Sequence, residues 1–424
     1  MIDRDGQALA RQTAEAVVRR SYGRLLAFLA ARSQDVMAAE DALAEALASA
    51  LERWPVDGCP ANPEAWLLTV ARRKRIDRQR RTTTAEAAAE LLRAILTDRG
   101  SGEPESSIPD HRLAMMFACA HPELDAGVRA PLMLQVVMGL DAKTIAAAFL
   151  TSPAAMSKRL VRAKTRIRET GIPLHVPEPE ELASRLGAVL DAIYAAFTEG
   201  WSDPGGIELA RRDLAAEALF LARLIVTLLP DAAEALGLLA LMLYADSRRL
   251  ARRSPDGEFV PLASQDQARW DWPMIQEANG WLRQAGAMGA VGRYQVEAAL
   301  QSAHLFRQRT GQPNWADIVE LYDGLVALTG SPVVLVNRAL AVAEIDGAEA
   351  GLESLERVAA DSRLGGYQPY WVARAELLRR TGSPEAARSA YEIALGLASD
   401  PAVRRFLLSQ RDALGHGGDS GHQQ

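Results

Sequence analysis

Two rows of positive charge are the residues whose type and spacing point most directly to chemistry. Arg72, Arg73, Lys74, Arg75, Arg78, Arg80 and Arg81 place seven basic side chains in ten positions, with Asp77 the one acid among them. Lys158, Arg159, Arg162, Lys164, Arg166 and Arg168 place six in eleven positions, with no acid. Such rows carry phosphate neutralisation, because each contact to a polyanion releases a condensed counterion. In the second row Lys158, Arg162 and Arg166 recur every four residues and share one helix face, while Met156, Leu160 and Ile167 turn towards a core. Arginine on such a face can also reach guanine O6 and N7 in a major groove, whereas contacts to phosphate position without specifying. A solvated basic helix end is the alternative for either row alone, and it has to be invoked twice here.

Each row needs an element to hold it. The stretch TIAAAFLTSPAAMSKRLVRAKTRIR, Thr144 to Arg168, reads as a short helix over Thr144 to Phe149, a tight connection through Thr151, Ser152 and Pro153, and a longer second helix. A hydroxyl at the N-cap followed by proline in the first turn is a helix start with a mechanism, and the Ala-rich first helix permits the close approach of a helix-turn-helix. The first row ends the helix PEAWLLTVARRKRIDRQRR, opened by Asn62-Pro63, with Trp66, Leu67, Val70, Ala71 and Ile76 as its apolar stripe. Upstream, AAEDALAEALASALERW sets Glu40, Asp41, Glu45 and Glu52 on a polar face opposite Leu43, Leu47 and Leu51, and WPVDGCPANP follows as a loop over 54–63. Between the rows, residues 82–110 end in TDRGSGEPESSIPD and read as a flexible linker. His111 to Cys119 and Gly127 to Leu140 supply apolar helices beneath the helix-turn-helix.

The net charge of −6 over 424 residues hides a division. Residues 1–170 hold 25 Lys+Arg against 21 Asp+Glu (+4), and residues 171–424 hold 23 against 33 (−10). A basic part joined to an acidic part points to separate tasks, with masking of the basic surface as one way to couple them. Two cysteines, Cys59 and Cys119, no long apolar run and the polar start MIDRDGQALARQ lead us to expect a reducing, cytoplasmic setting with no membrane span. No phosphate-binding glycine loop, zinc-protease helix or nucleophile elbow occurs, so no enzyme, cofactor or metal is expected. Cys119-Ala-His121 lacks a second ligand pair and reads as a buried cysteine at a helix end. Tyr294, Glu297 and His304 can meet on one helix, where core or interface roles are the safer reading.

Beyond a proline-rich hinge over 172–181 the chain is helical by pattern to Leu414, followed by the polar tail 415–424. Arg-Thr-Gly recurs at 309–311 and 380–382 with Gly347 midway, so helix ends recur every 35 or 36 residues. That is the period of a solenoid of helix pairs, and Ala387, Tyr391, Ala394 and Leu395 have the small/aromatic spacing of interlocking tetratricopeptide-like helices. The expected fold is all-α: a helical module over 1–81, the linker 82–110, a helix-turn-helix module over 111–171, the hinge 172–181 and a repeat extension over 182–414.

The combination resembles a sigma-70 family RNA polymerase sigma factor of the extracytoplasmic-function type, which keeps only regions 2 and 4. AEDALAEALASALERWP is similar to region 2.1–2.2, PEAWLLTVARRKRIDRQRR to regions 2.3–2.4, and residues 112–170 to region 4. EALGLLALMLYADSRR, RYQVEAALQSAH and SPVVLVNRALAVAE are similar to the helical extension of one subgroup. The resemblance implies that core polymerase is the partner, through its β′ coiled coil and β flap, with Asp41, Glu45 and Leu47 on the polymerase-binding helix. It implies that Trp66, Arg72, Arg73, Lys74, Arg75, Arg78, Arg80 and Arg81 serve the −10 element of promoter DNA. Ser157, Lys158, Val161 and Arg162 would face −35 bases, and Arg159, Lys164, Arg166 or Arg168 the phosphates. The repeats would bind a further protein or dock on the chain's own sigma modules. The competing reading is a helical-repeat scaffold with a degenerate DNA-binding half.

Overall fold

The computed structural model describes residues 4–33, 36–82, 110–170, 177–201 and 209–414. Among the described residues the chain is helical, with short 3-10 turns, one isolated bridge between Arg253 and Phe259, and no strand. This is the expected all-α class. Positions 83–109 of the expected linker, 172–176 of the expected hinge and the tail 415–424 lie outside the described residues.

The chain divides into two units, one of residues 1–200 and 210–224, the other of 201–209 and 225–424. In the first, α1 (Arg4–Ser33), α2 (Val36–Asp57) and α3 (Pro63–Thr82) pack on one another. Leu25, Leu26, Leu29, Leu43, Ala46, Trp54 and Leu67 on these helices are all closed to solvent. Helix α2 runs further than the loop expected from Trp54 onward, because Pro55 sits in its last turn and costs one backbone donor there. Gly58, at φ +84°, ends it, its N–H meeting the Trp54 carbonyl at 3.0 Å. Asn62 starts α3 as expected, its side-chain oxygen accepting from the Ala65 N–H at 3.1 Å.

Helices α4 (His111–Cys119), α5 (Ala126–Val136), α6 (Ala142–Ala148) and α7 (Pro153–Thr170) complete the layer around Leu113, Met116, Phe117, Leu132 and Met133. Helix α5 stops at Val136, short of the expected Leu140, and Gly139 at φ +70° turns the chain into α6. Helix α1 also lies against α4. The approach near Gly23 is so close that a Cβ there would fall on the Val137 carbonyl oxygen. Helix α8 (Pro179–Trp201) and the first part of α9 (Leu209–Leu228) belong to the same unit. Buried Arg185 donates to the Phe117 carbonyl at 3.2 Å and to Glu181 at 3.0 Å, and Arg112 pairs with Asp110 and Glu217 beneath Phe220.

The second unit is built on α10 (Ala233–Asp246), in which eleven of the first twelve positions, through Tyr244, are buried, a helix apolar nearly all round as a central element should be. Against it pack α11 (Trp272–Ala287) and α12 (Arg293–Thr310). Glu234 caps α12 by accepting from the Tyr294 and Gln295 N–H groups at 3.0 and 3.2 Å. Helices α13 (Trp315–Thr329), α14 (Pro332–Asp346), α15 (Ala348–Glu356), α16 (Gln368–Arg380), α17 (Pro384–Leu397) and α18 (Pro401–Ala413) each pack on the next, and α14 also on α16. Gly311, Gly347 and Gly382 all take positive φ at helix ends, at +70°, +92° and +74°. Ala387, Tyr391, Ala394 and Leu395 are buried together.

Candidate nucleic-acid interface

Helix α7 is fixed by its own first turn and by its apolar face. The Ser152 hydroxyl accepts from the Ala155 N–H at 3.2 Å and Pro153 opens the helix, as the sequence predicts. Met156, Leu160, Ala163 and Ile167 are buried, which leaves the opposite face to solvent. On that face stand Ser157, Lys158, Arg159, Arg162 and Arg166, all exposed, with Val161 61% exposed among them. A valine so open on a basic face offers a methyl contact of the kind a thymine C5-methyl accepts.

Helix α6 lies against the start of α7 and is itself capped. The Asp141 carboxylate accepts from the Thr144 N–H at 2.7 Å, and that bond, first among the causes, holds its pKa below the ordinary value. Between the helices Leu150 takes φ +49°, the one non-glycine residue with positive φ among the described residues. The Thr151 N–H then reaches back to the Ala146 carbonyl at 3.0 Å, closing α6 tightly before α7 begins.

Lys164 does not share the exposed face. Its ammonium meets both oxygens of Glu40 on α2 at 2.8 and 2.9 Å, with both side chains largely covered. The phosphate role expected for Lys164 therefore competes with an ion pair inside the unit. Beside it, burial raises the Tyr22 hydroxyl to about 12, with Glu40 adding to the effect, and raises the Cys119 thiol to about 12. Cys119 is a buried thiol at the end of α4, in agreement with its expected role.

On α3, Arg73 and Lys74 are exposed, while Arg72 lies with its guanidinium 5.1 Å from the Phe28 ring centre. Trp66 packs edge-on to buried Trp54 at 5.4 Å, so its ring braces the α2–α3 corner. The side chains of Arg75, Arg78, Arg80, Arg81 and Arg168 lie outside the described residues. On α2, Asp41 and Glu45 are exposed and Leu47 is half-buried. The grouping of Tyr294, Glu297 and His304 does not form a site. Glu297 accepts from Arg293 at 2.7 Å, and His304 stands edge-on to Trp315 at 6.1 Å.

The unit thus presents the exposed basic face of α7, the exposed Arg73 and Lys74 on α3, and the exposed Asp41 and Glu45 on α2. That arrangement can hold polyanions by many separate phosphate contacts. No helix among the described residues is long and apolar enough to cross a membrane.

Comparison with known proteins bears on both units. Residues 17–84 match sigma-70 region 2, which spans α2 and α3 with most of α1. Residues 185–286 match a family of unknown function, DUF6596. An uncharacterized protein of Rhizobium meliloti (strain 1021) is 39% identical over 384 residues, covering 89% of this chain and 90% of that protein. No solved structure matches. The chain therefore belongs to one family with the Rhizobium meliloti protein, and its residues 17–84 are similar to sigma-70 region 2.

Proposed function

We propose that this chain is a sigma factor of the extracytoplasmic-function type, which binds core RNA polymerase and directs initiation at promoters with −10 and −35 elements. The match of residues 17–84 to sigma-70 region 2 carries the reading. Support for the second half comes from α6 and α7, a capped helix pair whose outer face carries Ser157, Lys158, Val161 and Arg162 in the open. In this reading Asp41, Glu45 and Leu47 meet the β′ coiled coil, α3 opens and holds the −10 strand, and α7 enters the major groove at −35. Arg162 reads a base, while Arg159 and Arg166 hold phosphates. The helical extension over 182–414 is a tetratricopeptide-like repeat domain serving a partner or regulatory role.

Run-off transcription with purified core polymerase, with a pool of genomic promoter fragments as template, tests this. Transcripts starting at a shared two-part sequence are the expected result. Failure to bind core polymerase, with the α7 face unaffected by Arg162→Ala, would leave a repeat scaffold with a degenerate N-terminal half.

A further inference from the structure

The second unit gathers cations that the reading above leaves unused. Arg248, Arg249, Arg252 and Arg253 fall in a span of six positions after α10, and on α12 Gln301 meets Arg248 while His304 and Arg307 follow one and two turns along the same helix. Two of the first group are neutralised, Arg249 by Asp246 at 2.6 Å and Arg253 by Asp400. The other two are not. Among the described residues, Arg248, Arg252 and Arg307 have no carboxylate in ion-pair contact.

Their placement is fixed by neutral groups. Arg248 donates to the Gln301 side-chain oxygen at 2.6 Å and to the Tyr244 carbonyl at 3.3 Å. Arg252 lies 3.6 Å from the Trp201 ring centre and donates to the Trp201 carbonyl at 3.0 Å. Arg307 lies 4.2 Å from the ring centre of Trp315, the indole that also faces His304. Arg307 Nε and His304 Nδ1 are buried and meet no acceptor or donor among the described residues. Among the described residues, Arg248 keeps Nη1, and Arg252 keeps Nε and Nη2, without an acceptor.

The groups also feel one another. Burial, and for Arg252 the neighbouring arginines, lowers Arg248 and Arg252 to about 10, with Asp400 opposing weakly at Arg252. Burial first, then Arg307 and Arg248, lowers His304 to about 4. Like charges sharing a partly desolvated space cost free energy unless an anion joins them.

We propose that Arg248, Arg252, Arg307 and His304 form a binding site for a small ligand bearing a phosphoryl group. Guanidinium forks match phosphoryl oxygens in geometry, and three of them with an imidazole balance a dianion better than a single carboxylate would. The stacked indoles hold two of the forks rigid, so little side-chain entropy remains to be lost on binding. A nucleic-acid backbone does not suit the site, because these guanidiniums are largely covered while Lys158, Arg159, Arg162 and Arg166 on α7 are exposed. The proposal stands independently of the sigma-factor reading.

Calorimetric titration of the full chain with inorganic pyrophosphate, followed also by tryptophan fluorescence, tests it. The expected result is saturable one-to-one binding that stabilises the protein against heat. Arg307→Gln, which removes a group with a buried unpartnered nitrogen, should weaken binding by about tenfold to a hundredfold with an unchanged circular dichroism spectrum. Arg252→Lys keeps the charge and loses the fork, and should weaken it by a smaller factor. Absence of saturable binding to the wild-type protein overturns the proposal. So does equal affinity in both variants, which would put the anion on the basic helices of the first unit, and so does sulfate binding as tightly as pyrophosphate, which would leave a general oxyanion site.

Discussion

Helix α7 and the arginine group after α10 carry comparable charge in opposite settings. On α7 the cations stand in water on one face, where each costs little to keep and is worth little until a polyanion arrives. Around Arg248, Arg252 and Arg307 the cations are covered, two of them stacked on indoles, and short of carboxylates among the described residues. Screening by salt follows the same division, being strong for the first and weak for the second. A row of separate exposed charges suits a ligand with many phosphates. A covered cluster suits a small ligand with one or two.

The largest effect expected from this contrast is on acid stability of the second unit. His304 has its pKa lowered from 6.5 to about 4 by burial and by Arg307 and Arg248. The unfolded chain therefore takes up a proton before the folded one does. Stability is full above about pH 6.5 and is lost as pH falls towards about 4, with a ceiling of roughly 3 kcal/mol from this group. Melting curves of the full chain at pH 7 and pH 4.5 measure it, and His304→Gln should flatten the difference. An anion in the cluster favours the protonated imidazole, so pyrophosphate should reduce the same loss. A pH difference untouched by His304→Gln would separate the cluster from acid stability.

Next in size are the DNA contacts of α7. Arg162→Ala should cost ~1–3 kcal/mol on a cognate −35 sequence and relax specificity there. Arg166→Ala should weaken binding to all sequences and shallow the salt slope by about 1. Fluorescence anisotropy on cognate and scrambled duplexes over a range of salt separates the two. Equal losses on both duplexes for both variants would mean that α7 grips the backbone alone.

A smaller effect is expected where the exposed row loses a member. Glu40→Gln frees the Lys164 ammonium from its carboxylate partner on α2. The freed cation should add one phosphate contact, steepening the salt slope of non-specific DNA binding by about 0.9. An unchanged slope would show that Lys164 stays covered without its partner.

The faces of α7 were legible because one period governs them: Met156, Leu160 and Ile167 recur at helical spacing and are buried, and the basic residues between them are exposed. The start of α3 and the positive-φ glycines at 311, 347 and 382 were legible for a similar reason, since each rests on one or two neighbouring residues. The Lys164–Glu40 pair joins residues 124 apart, a separation no local pattern encodes. The arginine group had a local sign, four arginines in six residues, yet only α12, Trp201 and Trp315 turn that run into a cluster. Helix α2 outran its expected end because proline in a last turn forfeits one hydrogen bond, which the contacts of Trp54 offset.

The smallest effect isolates the turn that presents α7. Leu150 holds φ +49° at the position after α6 where helices commonly place glycine. A left-handed conformation costs a side-chain-bearing residue about 1 kcal/mol or more, and glycine recovers part of this against its own larger loss of backbone freedom. Leu150 is 43% exposed, so truncating it forfeits little burial. Leu150→Gly should therefore raise the stability of the first unit by up to about 1 kcal/mol, whereas Leu150→Val, branched at Cβ, should lower it. Thermal melts of both variants measure the pair. Destabilisation by glycine greater than by valine would mean that the leucine side chain, rather than the backbone it strains, sets the angle at which α7 leaves α6, and promoter affinity should then fall with it.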